Sequence, residues 1–244
     1  MIYKITSKDN RKVVEASKLR LSKYQQETGL YLVEGHHMLD MAIKHQRAHH
    51  VFTTTQIADL AIDQYLVSED ILRKIAISKN PQGVVAVCQR AVSSNNIKDK
   101  VLYLDEISDP GNLGTIIRTA LAFGYLDILL SNQCVSPFND KAISASQGAI
   151  FAVNLIENAE KELMRLKSAS YQIVATSLKD SLPLEKTEIN LQHVIIMGNE
   201  SRGVREELLS LADDKVKIAI SGIDSLNVAV ATGIILYAIE TKRR

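Results

Sequence analysis

Tryptophan is absent from the 244 residues, and aromatic residues of all kinds make up 5% of them. A surface built to stack nucleic-acid bases in series is therefore not conspicuous, and Tyr24 and Tyr31 are open to either stacking or core packing. The two cysteines, Cys88 and Cys134, lie far apart, which leaves a disulfide framework or a zinc site of cysteines without support. Cys88 sits in an apolar run and reads as a small buried hydrophobe. Cys134 lacks the neighbouring charges of a reactive thiol. No apolar run is long enough to span a bilayer, and the N-terminus lacks the apolar segment of a signal peptide. A cytoplasmic location is expected. The formal net charge is only +1, so bulk charge does not announce a nucleic-acid partner.

What is there is an ordinary globular composition, 46% hydrophobic and 23% charged. The chain is long enough for one large core or two modest ones. Short β-rich runs alternate with amphipathic helical stretches, the pattern of an α/β fold. In the first part, helix is expected at 10–27, 36–46 and 69–76. Strands are expected at Tyr31–Glu34, His50–Thr53 and Gly83–Gln89. A polar stretch, Ser93-Ser94-Asn95-Asn96 followed by Lys98-Asp99-Lys100, reads as a linker. It divides an N-terminal domain, 1–92, from a C-terminal domain, 100–244, through 93–99. In the second part, strands are expected at Val101–Leu104, Asp127–Leu130, Ala152–Leu155, Gln172–Ala175, His193–Met197 and Lys215–Ile220. Helices should fill about Leu113–Phe123, 139–147, 157–168, 204–212 and Leu226–Thr241. In the last helix Leu226, Val230, Ile234 and Tyr237 recur at helical spacing and should face the core. Strands alternating with helices imply a mainly parallel sheet, whose ligands bind beyond the C-terminal strand ends.

Charge is unevenly placed. Residues 1–23 carry seven basic side chains against Asp9 and Glu15, and Lys12, Lys18, Arg20 and Lys23 are the candidates to contact RNA phosphates. A solvated helix face accounts for the same charges equally well. Five of the six histidines fall between His36 and His50 but lack acidic or cysteine partners at ligand spacing, so no metal site is expected.

Three polar, glycine-containing loops follow strands. Asp109-Pro110-Gly111-Asn112-Leu113-Gly114 makes a sharp turn into a helix, with Asn112 a candidate cap and Arg118 on the same helix face as Gly114. Gly198-Asn199-Glu200-Ser201-Arg202-Gly203 offers two glycines for close backbone approach to a ligand and a carboxylate at the sheet mouth. Its spacing matches neither a P-loop nor a dinucleotide fingerprint. Ser221-Gly222-Ile223-Asp224-Ser225-Leu226-Asn227 precedes the final helix, with Asp224 or Ser225 as caps. Asn227 would then lie inside the first turn, where asparagine is unfavourable unless it has a specific hydrogen-bonding task or caps as well.

In order and spacing, LDEISDPGNLGTIIRTALAFG (104–124), IIMGNESRGV (195–204) and SLNVAVATGIILYAI (225–239) resemble the three motifs of the SpoU (TrmH) family of the SPOUT methyltransferases. The intervening PFNDKAISASQGAIF (137–151) is similar too. KLR-LSKYQQETGLYLVEGHHML (18–39) resembles the small substrate-binding domain that precedes the catalytic domain in many members. The resemblance implies a homodimer whose α/β catalytic domain ends in a trefoil knot, a feature that general chain-connection rules argue against. It implies S-adenosylmethionine as cofactor and a ribose 2′-hydroxyl of RNA as methyl acceptor, with ribosomal RNA favoured over transfer RNA. By position, Arg118, Asn112, Glu200, Ser225 and Asn227 are implied at the reacting end. Gly198, Ile218 and Leu226, with Asn199 and Ile220, are implied around the cofactor. One departure is Ile218-Ala219 where relatives often carry Ile-Pro, beside a loop to Ser225 about one residue shorter. The alternatives are a catalytically silent RNA-binding relative and a tRNA methyltransferase, acting on ribose or on a guanine base, of the same superfamily.

Overall fold

The computed structural model describes residues 1–242. The chain forms two compact units, one from 1–92 with 138–151, the other from 93–137 with 152 onward.

The first unit contains β1 (Ile2–Lys4), α1 (Arg11–Lys18), α2 (Ser22–Thr28), β2 (Leu30–Glu34), α3 (His36–Lys44), β3 (Ala48–Thr53), β4 (Asp63–Leu66), α4 (Glu69–Ile75) and β5 (Val84–Gln89). Its five-stranded mixed sheet has the order β1-β4-β3-β5-β2. Val13, Ala16 and Leu19 pack with Ile71, Leu72 and Ile75 of α4 over Phe52 and Val85 of the sheet. The single helix expected over 10–27 is two helices meeting at an elbow. Leu19 turns into the core while Leu21 stays 59% exposed, and the buried Gln25 side chain donates to the Leu19 carbonyl at 2.8 Å. That bond satisfies a carbonyl the ended helix would otherwise leave orphaned. β1 and β4 were not expected, being short and polar-rich. Residues 138–151 pack in this unit, where Phe138 and Phe151 lie against Tyr31 with ring centroids 4.9 and 6.4 Å away.

The second unit contains β6 (Lys100–Leu104), α5 (Pro110–Ala122) and β7 (Asp127–Leu130), and after α6 (Asp140–Ser146), which groups with the first unit, β8 (Asn154–Glu157) and α7 (Glu160–Ser168). β9 (Gln172–Thr176), β10 (Leu182–Pro183), β11 (His193–Met197), α8 (Glu206–Leu211), β12 (Asp214–Lys217) and α9 (Val228–Lys242) complete it. Seven strands pair in the order β10-β12-β9-β11-β6-β7-β8, every pairing parallel. The inner strands are buried on both faces, hence their unbroken apolar runs. Val101, Tyr103, Val194 and Ile196 face Leu163 and Leu166 of α7 and Leu208 of α8. From β6 the chain runs one way, through β7 to β8, and the later strands lie on its other side. β6 and β11 are therefore neighbours at a topological switch point, where the loops following them come together.

Two expectations are corrected here. Val230, Ile234 and Tyr237 of α9 face away from the core, at 53%, 39% and 58% exposure. Leu226 precedes the helix, and the buried side is Val228, Ala229, Thr232, Ile235, Leu236 and Ile239. The helix is apolar nearly all round, so periodicity could not select its inner face, and Thr232 is buried at low cost because its hydroxyl donates to the Val228 carbonyl at 2.7 Å. β12 stops at Lys217, so Ile218 and Ile220 belong to a loop rather than a strand.

Candidate active site

α5 starts directly beyond the turn that follows β6. Its cap is Asp109, whose Oδ1 accepts from the Asn112 backbone N–H at 2.8 Å, with Pro110 in the first turn. Asn112 is thus not the cap, and its amide is free for other work. Nδ2 donates to Glu200 Oε1 at 3.0 Å, and Oδ1 accepts from Asn227 Nδ2 at 2.9 Å. The Glu200 carboxylate also accepts from Ser108 Oγ at 3.1 Å and, at longer range, from the backbone N–H groups of Ser108 and Asp109. It sits at the positive end of α5. Burial pushes its carboxyl up, but bonds from Asn112, its own loop backbone, Ser108 and Asp109 outweigh burial and hold it below the ordinary value of 4.5.

Asn227 immediately precedes α9. Its Oδ1 accepts from the N–H groups of Ala229 and Val230 at 2.9 and 3.3 Å, so Asn227 itself caps the helix, in place of Asp224 or Ser225. Its position is the preferred one for asparagine, not a strained one. The ionised carboxylate can only accept, which fixes the direction of both amides in the series.

The Gly198–Gly203 loop is closed on itself. Asn199 and Gly203 exchange backbone hydrogen bonds of 3.0 and 2.9 Å, and Asn199 Oδ1 accepts from Ser201 and Arg202 N–H. A Cβ at Gly198 would lie 2.2 Å from backbone atoms of Gly203 and Val204. The close approach inferred for this glycine is made by the chain itself. Beneath the loop, Asp105 is fully buried and accepts from Arg205 through Nε at 2.8 Å and backbone N–H at 2.9 Å. Arg202 reaches Glu106 at 2.6 Å.

A cleft of about 560 Å³ opens beside these loops, within the usual range for small-molecule sites. Its walls include all five residues expected around a cofactor: Gly198, Asn199, Ile218, Ile220 and Leu226. Glu200 and Ser225 line it as well, while Asn112 and Asn227 join through their bonds to Glu200 and to each other. Arg118 is exposed, six residues beyond Asn112 on α5, and forms no hydrogen bond or ion pair among the described residues. Lys12, Lys18, Arg20 and Lys23 are exposed along the α1–α2 elbow of the first unit. Lys18 Nζ lies 5.5 Å from the centre of the half-buried Tyr24 ring, while Tyr31 is core. His49 and His50 meet through their Nδ1 atoms at 2.7 Å, and no group of three or more potential metal ligands gathers among the described residues.

Sequence reasoning missed Ser108, Asp105, Glu106 and Arg205. The one available signal was the Asp105-Glu106 pair ending a buried apolar strand, where a carboxylate needs a partner. Those partners lie about a hundred residues away, beyond any spacing rule.

A parallel α/β sheet with polar loops closing over a cleft at its switch point defines a protein that takes a small ligand beyond its strand ends. Residues 99–237 match the model of the SpoU rRNA Methylase family, and residues 10–86 match an MRM3-like substrate binding domain. The chain belongs to the SpoU rRNA methylase family. It is 33% identical to the 23S rRNA (guanosine(2553)-2'-O)-methyltransferase RlmP of Bacillus subtilis, covering 96% of this chain and 97% of that one. It is 31% identical to the tRNA (guanosine(18)-2'-O)-methyltransferase of Aquifex aeolicus over 74% of this chain and 80% of that one. Among solved structures, the AdoMet-bound rRNA methyltransferase from Sinorhizobium meliloti superposes with a TM-score of 0.88 at 29% identity, covering 99% of this chain and 98% of that one.

Proposed function

We propose that this protein transfers a methyl group from S-adenosylmethionine to a ribose 2′-hydroxyl of ribosomal RNA. The observation that carries the reading is the Glu200–Asn112–Asn227 hydrogen-bonded series beside the cleft, built from all three family motifs. The cleft suits the cofactor in size, and its walls mix apolar side chains such as Leu178, Ile218 and Leu226 with the Glu200 carboxylate, a fit partner for a sulfonium. When bound, the cofactor supplies the electrophilic methyl, so the protein's tasks are alignment and charge management.

Gly198, Asn199, Ile218, Ile220 and Leu226 hold the cofactor, with Ser225 near the reacting end. Asn112 keeps a second N–H and a second oxygen lone pair for the ribose, in an orientation set by Glu200. A guanidinium offers five N–H donors and no acceptor, so Arg118 is not a literal base. Its free guanidinium grips the adjoining phosphate and stabilises the developing alkoxide, while the proton leaves to phosphate or water. Lys12, Lys18, Arg20 and Lys23 contact RNA phosphates.

The proposal extends to a homodimer, a knotted C-terminal path and a cytoplasmic location. The dimer is supported by the Val230–Ile234–Tyr237 face, apolar and exposed where the core would have been expected; its test is the sedimentation mass in solution. A transfer-RNA target is the second reading, favoured by the Aquifex relative. Ribosomal and transfer RNA would be incubated separately with protein and labelled cofactor, then digested to nucleosides. A labelled 2′-O-methylnucleoside from ribosomal RNA is expected. Label on a base, or no affinity for S-adenosylmethionine, overturns the reading. Arg118→Lys should keep part of the rate and Arg118→Ala should lose it with RNA binding intact; a wild-type rate in Arg118→Ala removes that residue from the chemistry.

A further inference from the structure

Glu106 combines three features that no step of the reaction uses. It is 5% exposed, it carries a carboxylate, and its φ of +55° lies in the left-handed region that L side chains rarely adopt. Its surroundings over-determine that conformation. The backbone N–H donates to Ser131 Oγ at 2.9 Å, and the carbonyl accepts from Asn199 Nδ2 at 2.7 Å. The carboxylate meets Arg202 Nη2 at 2.6 Å and, more distantly, Arg205 Nε at 3.6 Å. Non-glycine residues persist in such backbone states where neighbouring contacts enforce them, and these cluster at functional sites.

Arg202 comes from the other side. Its side chain is 70% exposed and lines the cofactor cleft, yet its guanidinium reaches down to a buried carboxylate. Two residues after Glu106 stands Ser108, whose Oγ and N–H hold Glu200. The pair therefore joins the loop that walls the cleft to the turn that seats the carboxylate orienting Asn112.

We infer that Glu106 and Arg202 are positioning residues, a latch that couples occupation of the cofactor cleft to the placement of Glu200. The inference rests on the methyl-transfer reading of the cleft. Filling the cleft presses on residues 199–203, and the latch transmits that to the β6–α5 turn. Opening the latch leaves a cofactor site but a misplaced amide, and small misplacements at a reacting centre cost rate steeply.

The test compares Arg202→Met, Arg202→Lys, Glu106→Gln and the double variant Arg202→Met/Glu106→Gln in the full chain. Single-turnover methylation rate and S-adenosylmethionine affinity are measured separately. Because Arg202 is exposed, its variants should fold. Arg202→Met is expected to slow methylation about tenfold, with a smaller change in cofactor affinity. Arg202→Lys, which keeps the charge, should recover most of the rate. The double variant should be no slower than the slower single one, since both break the same interaction. An unchanged rate in Arg202→Met overturns the latch. So does a loss of cofactor affinity equal to the whole effect, or a double variant in which the two losses multiply. Amide hydrogen exchange of residues 199–203 keeps the two ideas separable. If the wild-type chain methylates no RNA, faster exchange in Arg202→Met still supports the latch, and unchanged exchange rejects it.

Discussion

Gly198→Ala tests the most crowded point of the site. The added methyl would lie 2.2 Å from the Gly203 carbonyl carbon, 2.2 Å from the Val204 nitrogen and 2.6 Å from the Gly203 oxygen. All three are backbone atoms, so no side chain can swing aside. They belong to a loop closed by reciprocal Asn199–Gly203 bonds and pinned from below by Arg205 on buried Asp105. Relief requires that chain to move by about an ångström or more, to ordinary van der Waals distance. Overpacking usually costs about 1–3 kcal/mol, and a purely backbone clash belongs at or above the upper end. For a chain of this size about 3 kcal/mol corresponds to a Tm lower by roughly 6–12 °C. Displacing the loop also carries Glu200 away from Asn112, so cofactor affinity and methylation should both fall. Gly203→Ala is the control. Its φ is +73° but nothing lies within 4 Å of the added carbon, so only a conformational cost of about 1–2 kcal/mol applies. Scanning calorimetry and cofactor titration on both variants decide the matter. A Gly198→Ala protein that melts and binds as wild type, or a Gly203→Ala protein that suffers more, contradicts the close approach.

Arg205→Met should destabilise by about 3–5 kcal/mol in urea, because it strands the fully buried Asp105 charge, whereas Arg205→Met/Asp105→Leu should recover much of the stability. Glu200 is held below its ordinary 4.5, so its contribution is complete above that value and disappears as pH falls through the lowered one. The melting temperature of Glu200→Gln should therefore fall less steeply on acidification through that acidic window; curves of identical shape for variant and wild type count against the bonding at Glu200. Replacing Lys12, Lys18, Arg20 or Lys23 singly with alanine should weaken RNA binding alike across sequences and lower the salt slope by about one for each RNA phosphate left without its cation. Filter binding across salt concentrations measures it, and an unchanged slope for all four moves the RNA surface elsewhere.

The central strands were readable because burial on both faces leaves an unmistakable apolar run, as in Val101–Leu104 and His193–Met197. β1 and β4 were not, since three exposed residues in one and four polar-rich residues in the other carry no pattern strong enough to register. α9 failed for the opposite reason: too many apolar residues gave no contrast between its faces. In the site, glycine and polar loops pointed to the strand ends where the cleft opens, and the ordered motifs named Asn112, Glu200 and Asn227, which the fold brings together. Their bonding was hidden. Which residue caps each helix depends on where the helix begins, and a shift of two or three residues moved that role from Asn112 to Asp109 and from Ser225 to Asn227. Asp105 and Glu106 find their arginines only after the chain has folded back on itself.

The amide series has a one-way polarity. It starts at a carboxylate that only accepts and ends on α9 N–H groups that only donate. Replacing Glu200 by lysine would require both asparagines to reverse, and a reversed Asn227 would point its NH₂ at the helix N–H groups it now caps. Asn112→Asp would set two carboxylates face to face. The three positions are therefore free to change only together, and drift at any one of them is felt at once in the first turn of a helix that belongs to another motif.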